Sequence, residues 1–94
     1  MKNKLLTIGT IVLLKNANKE LMIIGYFPQA IQGDEKKTFD YLACPYPEGY
    51  INSNEPVVFN KENIKKVTHY AYMDEESKAL LNEIDKNYDK IKNS

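Results

Sequence analysis

The chain has 94 residues, of which 43% are hydrophobic and 28% charged, and its thirteen basic and thirteen acidic side chains cancel at pH 7. That length supports one hydrophobic core, hence one domain spanning 1–94. All thirteen cations are lysine, so the charge balance and the missing arginine argue against nucleic-acid recognition and against a polybasic membrane patch.

The chain turns apolar at Leu5, but Thr7, Gly9 and Thr10 interrupt the stretch and Lys15 ends it. It is too short and broken for a membrane span and lacks the small-residue cleavage site of a secretion signal. Cys44 is the single cysteine and has no internal disulfide partner. A reducing compartment follows, and the expected location is cytoplasmic.

Residues 8–14 and 21–27 are two runs rich in β-branched side chains around the polar connector Lys15-Asn16-Ala17-Asn18-Lys19-Glu20. They read as a hairpin. Neither alternates cleanly: Ile11-Val12-Leu13-Leu14 and Leu21-Met22-Ile23-Ile24 are apolar on both faces. A strand apolar on both faces requires two covers. One can be the rest of the fold; the other must be a helix or a second protein. Residues 28–37, polar and containing Gly33-Asp34, read as a loop.

A third strand is expected at 38–44, with Phe39, Tyr41 and Ala43 on one face and Asp40, Leu42 and Cys44 on the other. A long loop at 45–55 carries Tyr46-Pro47-Glu48-Gly49-Tyr50, where proline and glycine make a turn bearing two large aromatics. Pro56 opens a fourth strand at 57–60, as suits a sheet edge. Asn60 then caps a single helical turn with Asn63 in the capping-box position, and a fifth strand follows at 64–70.

From Asp74 the period changes. Ser77, Leu80, Leu81, Ile84, Tyr88 and Ile91 share one helical face, Asp74 is a suitable N-cap, and Glu75 and Glu76 favour the positive end of the helix dipole. The spacing predicts a helix from about 74 to about 91. The fold class is therefore mainly β (α+β): a small five-stranded antiparallel SH3-like barrel, or a strongly bent open sheet, with a C-terminal α-helix.

Residues with chemical capacity are few. Cys44 and His69 are the sole nucleophile–base pair, with nothing in their flanks to orient them. The Cys and His ligands of a zinc site are missing. Asp40 and Glu48 are candidates for two carboxylates flanking a cleft, while the helix dipole accounts for Asp74-Glu75-Glu76. The glycines form no phosphate cradle, and no serine sits in a nucleophile elbow. We expect no enzyme, no catalytic residue, no cofactor and no metal.

The aromatics differ in kind, because tyrosine joins an apolar ring to a polar tip and suits interfaces. Tyr26, Phe27, Phe39, Tyr41, Tyr46, Tyr50, Tyr70 and Tyr72 fall at strand ends or on the proline turn. The candidate partner-binding patch is Tyr46, Pro47, Glu48, Gly49 and Tyr50 with Tyr26 and Tyr41. Leu81 and Tyr88, on the apolar helix stripe, are the second candidate contact. A homodimer through surplus apolar surface is a further expectation.

The segments Ile8-Gly9-Thr10-Ile11-Val12-Leu13-Leu14-Lys15, Leu21-Met22-Ile23-Ile24-Gly25, Asp40-Tyr41, Tyr46-Pro47-Glu48-Gly49, Phe59-Asn60, Ile64, Val67 and Asp74-Glu75-Glu76 occur in a specific order and spacing. Together they resemble the small bacterial domain-of-unknown-function family numbered 4176, over residues from about 8 to about 80. Thr7 stands where that family often has proline, and Ala71 where glycine is common. The resemblance implies a cytosolic accessory protein encoded beside LXG-type toxins of the type VII secretion system of Gram-positive bacteria. It implies a partner, the toxin's helical N-terminal region, alone or with small helical accessory proteins, and a role as chaperone or targeting factor for export. An immunity protein that binds the toxin domain is the rival role. The resemblance carries over no catalytic residue.

Overall fold

The computed structural model describes residues 4–50 and 57–93. The expected first hairpin forms from β1 (Ile11–Leu14) and β2 (Glu20–Tyr26), with Val12 opposite Leu21. Asn16, at φ 64°, takes a left-handed position in the connector, which asparagine tolerates better than most residues. The strand starts later than its apolar run does: Ile8 and Gly9 form a turn, and Gly9 adopts φ +93°.

The stretch 28–37, expected as a loop, is instead a second hairpin, β3 (Gln29–Gln32) and β4 (Glu35–Thr38). Gly33-Asp34 is its two-residue turn, with Gly33 at φ +65°. The hairpin is a separate two-stranded sheet. Thr38 consequently ends β4 rather than opening the next strand, which is β5 (Tyr41–Pro45). β6 (Val57–Phe59), a 3-10 turn (Lys61–Asn63), β7 (Ile64–His69) and α1 (Glu75–Lys92) complete the chain. The expected loop at 45–55 falls partly outside the described residues, beyond Tyr50.

The main sheet is antiparallel in the order β6-β5-β2-β1-β7. Among the described residues no ladder joins β6 to β7, so the sheet is open and the closed barrel does not form. Register shifts in the β1–β7 and β2–β5 ladders mark bulges, which bend the sheet and strengthen its twist.

One face of this bent sheet is the core. Val12, Leu21, Ile23, Tyr41, Ala43 and Phe59 point into it, and Leu81, Ile84 and Tyr88 of α1 cover them together with Leu5. Each aliphatic side chain buried in this way stabilises the fold by about 1.5–3 kcal/mol. The helix stripe is narrower than its sequence suggests: Leu80 is 52% exposed, and the buried positions are 81, 84 and 88. The cap is as expected, with the Asp74 side chain accepting from the Ser77 N–H at 2.8 Å. At the 3-10 turn, Asn60 and Asn63 form the reciprocal capping box.

Candidate functional site

Four of the expected partner-contact residues, two from the aromatic patch and two from the helix stripe, serve the interior. Tyr41 is 1% exposed, and its hydroxyl accepts a hydrogen bond from the Leu6 N–H at 2.8 Å. Tyr26 donates its hydroxyl to the Leu6 carbonyl at 2.6 Å. The two phenols thus hold both backbone groups of Leu6, and this seats Leu5 in the core. Burial pushes both phenol pKa values up from the ordinary range. Leu81 and Tyr88, the expected helix contacts, are likewise buried against the sheet. Tyr41, Leu81 and Tyr88 therefore present no surface to a partner in this conformation.

Asp40 is also internal. It is fully buried, and its Oδ1 accepts from the Tyr88 hydroxyl at 2.8 Å and from Lys92 Nζ at 2.9 Å. Oδ2 accepts from the Lys61 N–H at 2.8 Å, and the Asp40 N–H donates to Asn60 Oδ1 at 3.1 Å. Lys92 also donates to Asn60 Oδ1 at 3.0 Å, and the Lys61 ammonium lies 4.2 Å from the Tyr88 ring centroid. Burial, then the bond to Asp40, pushes the Tyr88 phenol pKa well up. This knot fastens the end of α1 to the start of β5 and to the 3-10 turn. It corrects the pairing of Asp40 with Glu48 across a cleft: Glu48 is exposed and forms a 2.7 Å ion pair with Lys19.

The nucleophile–base pair is also separated. Cys44 aligns with Met22, Met22 with Ile11, and Ile11 with His69 across successive strands. Three strand spacings put the two side chains about 14 Å apart, beyond any proton transfer. Cys44 is buried while His69 is exposed. Among the described residues no three His, Cys, Asp or Glu side chains are grouped to hold a metal ion, and no helix is long and apolar enough to cross a membrane.

The rest of the aromatic turn lies at the surface. Tyr46 is 42% and Tyr50 57% exposed, Pro47 and Glu48 are exposed, and Gly49 is half-buried at φ +85°. The Tyr46–Pro47 peptide is cis. The Tyr46 N–H donates to the Glu20 carbonyl at 3.0 Å, and the Gly49 N–H to the Pro45 carbonyl at 2.7 Å. The second bond closes the turn on itself, while the first and the Lys19–Glu48 pair tie it to the start of β2 and to the connector before it.

Beside it lies the sheet's second face. The alternation that sends Val12, Ile23, Ala43 and Phe59 inward places Leu13, Met22, Leu42 and Val58 on the opposite side, where all four are half-buried. Cross-strand pairing aligns Leu42 with Val58 and Met22 with the buried Cys44. The doubly apolar strands had signalled this surface, but no individual residue on it stands out in the sequence. A second set was visible only as scattered aromatics: Tyr70 and Tyr72, 69% and 82% exposed, in the link between β7 and α1.

The family model described as Domain of unknown function (DUF4176) matches residues 5–80. No curated protein and no solved structure matches the chain. The chain belongs to the DUF4176 family.

Proposed function

We propose that this DUF4176 member is a non-catalytic, cytoplasmic accessory protein that binds the helical N-terminal region of an LXG-type toxin and holds it for export by a type VII secretion system. The observation that carries this reading is the sheet's second apolar face. In an antiparallel sheet of this size one face packs on the core and the other is ordinarily polar. Here α1 covers one face, and on the other Leu13, Met22, Leu42 and Val58 stay half-buried around the buried Ile11 and Cys44. An amphipathic helix laid across that face would bury those side chains, with Tyr46 and Tyr50 at its rim. The strand order and the 3-10 turn before the last strand support reading the sheet as an SH3-like barrel opened between β6 and β7. The choice of toxin partner rests on the family resemblance.

Co-expression with the LXG N-terminal region, followed by size-exclusion chromatography, tests the proposal. A stable complex is expected, and Met22→Glu or the Tyr46→Ala/Tyr50→Ala pair should abolish it, the tyrosine pair with the urea midpoint of the free chain barely moved. No complex with the N-terminal region defeats the proposal. Capture of the toxin's C-terminal domain instead makes the chain an immunity protein. An intact complex in both variants moves the contact to another face.

A further inference from the structure

Among the described residues four strands have an open edge: β6 and β7 in the main sheet, β3 and β4 in the small one. An unpaired edge invites another strand, and proteins blunt it with brevity, charge or bulges. β6 has three residues. β7 carries the exposed Lys65 and Lys66, and its ladder with β1 is irregular. β4 carries Glu35, Lys36 and Lys37, all exposed. β3, Gln29-Ala30-Ile31-Gln32, carries no charge, pairs without a bulge and leaves Ile31 78% exposed.

The ribbon that bears this edge is held at its root. The Phe39 N–H donates to the Pro28 carbonyl at 2.9 Å and the Phe27 N–H to the Asp40 carbonyl at 3.1 Å, which joins β3–β4 to the end of the β2–β5 ladder. The two-residue Gly33-Asp34 turn makes Gln32–Glu35 a hydrogen-bonded pair and, by alternation, Ala30–Lys37 the next. Gln29 and Ile31 consequently turn their N–H and C=O groups outward. Pro28 before them and the turn after them confine the open edge to that short register.

We infer that two copies of this chain associate by pairing β3 with β3, antiparallel, about a two-fold axis at Ala30. Gln29 of each copy then exchanges both backbone bonds with Ile31 of the other, so every outward donor and acceptor of β3 is met. Ala30 meets Ala30 at the axis, where such pairs bring Cα atoms to about 4.5 Å and a methyl group fits. The two Ile31 side chains become diagonal neighbours on one face. Charge selects this occupant. Lys36 and Lys37 stay on the outer strands, and Lys37 of one copy stands three strand spacings, about 14 Å, from its counterpart. That exceeds the roughly 10 Å screening length at 0.1 M salt. Pairing β3 with β4 or β7 of another copy would instead set lysines beside Ile31. The contact is far smaller than the roughly 800 Å² per partner of a standard interface, so the dimer is weak and reversible. The toxin region proposed above is helical and cannot extend a ladder, so either proposal can fail without the other.

Sedimentation equilibrium and amide NMR of the full chain across a wide concentration range test the dimer. A monomer–dimer equilibrium is expected for the wild type, with the Gln29 and Ile31 amides gaining exchange protection as concentration rises while Met22, Leu42 and Val58 are unmoved. Ile31→Lys and Ile31→Glu should each weaken self-association by roughly tenfold or more, with the urea midpoint unchanged because the position is exposed. An equimolar mixture of these two variants should recover a heterodimer, because the axis brings position 31 of one copy beside position 31 of the other. A wild type that stays monomeric at every concentration overturns the inference. So does a dimer whose perturbed amides are those of Met22 and Leu42, a charge variant that dimerises like the wild type, or a mixture that fails to associate.

Discussion

Tyr26, Tyr41 and Tyr88 have their hydroxyls hydrogen-bonded within the fold, whereas Tyr46, Tyr50, Tyr70 and Tyr72 keep large parts of their rings in solvent. One residue type thus does two jobs. The internal set ties distant segments together: Tyr26 and Tyr41 hold Leu6, and Tyr88 joins α1 to Asp40. The external set stabilises little and is free to meet another molecule. Tyrosine content alone therefore says nothing about binding. What separates the sets is whether a phenol finds a backbone or carboxylate partner within the fold.

The sharpest way to break the internal set is Asp40→Ala. It leaves the half-buried Lys92 ammonium and the Tyr88 hydroxyl without their common acceptor, and removing one partner of a buried pair costs about 3–5 kcal/mol. A large fall in the urea midpoint is expected. Tyr41→Phe is milder: it leaves the Leu6 N–H unsatisfied, at about 1–3 kcal/mol by the same measurement.

Alkali should distinguish the internal phenols next. The pKa values of Tyr26, Tyr41 and Tyr88 are raised in the fold, by burial above all. A raised folded pKa means the associated stability is intact below the unfolded phenol value, near 10, and is lost as pH rises through the folded values. Absorbance at 295 nm of the native protein should lag behind that of the urea-unfolded chain, and the lag should shrink in Tyr26→Phe, Tyr41→Phe and Tyr88→Phe. A lag unaltered by all three would refute their assignment.

Asp74 gives a smaller, acid-side effect. Hydrogen bonds to Ser77 hold its pKa below the usual carboxylate value, so its contribution exists above that value and fades as pH falls through the folded one. Asp74→Ala should flatten the acid limb of the stability profile. The smallest expected effect lies in the external set: Tyr72→Ser should shift stability by no more than about 0.5 kcal/mol.

Much of the architecture was legible because burial leaves a period. The helix was readable from Asp74 and the 81, 84, 88 spacing, and the Asn60/Asn63 capping box from two residues three apart. Leu80 misled because its neighbour Leu81 is the one that points inward. The β3–β4 hairpin escaped notice because its strands are polar and largely exposed, so no alternation marks them. Its Gly33-Asp34 turn was the available signal. The Asp40 knot could not have been read at all, since it joins residues 20 to 52 positions apart with no motif among them. The surface set was half legible: the proline turn announced itself, but Tyr70 and Tyr72 looked like strand-end residues until their exposure was known.

The straps on the sheet also impose an order on synthesis. Leu6 is made 35 residues before the Tyr41 hydroxyl that receives its N–H, and Asp40 waits 52 residues for Lys92. Neither strap can close while the ribosome still holds the later partner. The nascent sheet therefore keeps its core-facing side bare until α1 emerges, and translation leaves a brief interval in which both its faces are open to whatever is nearby.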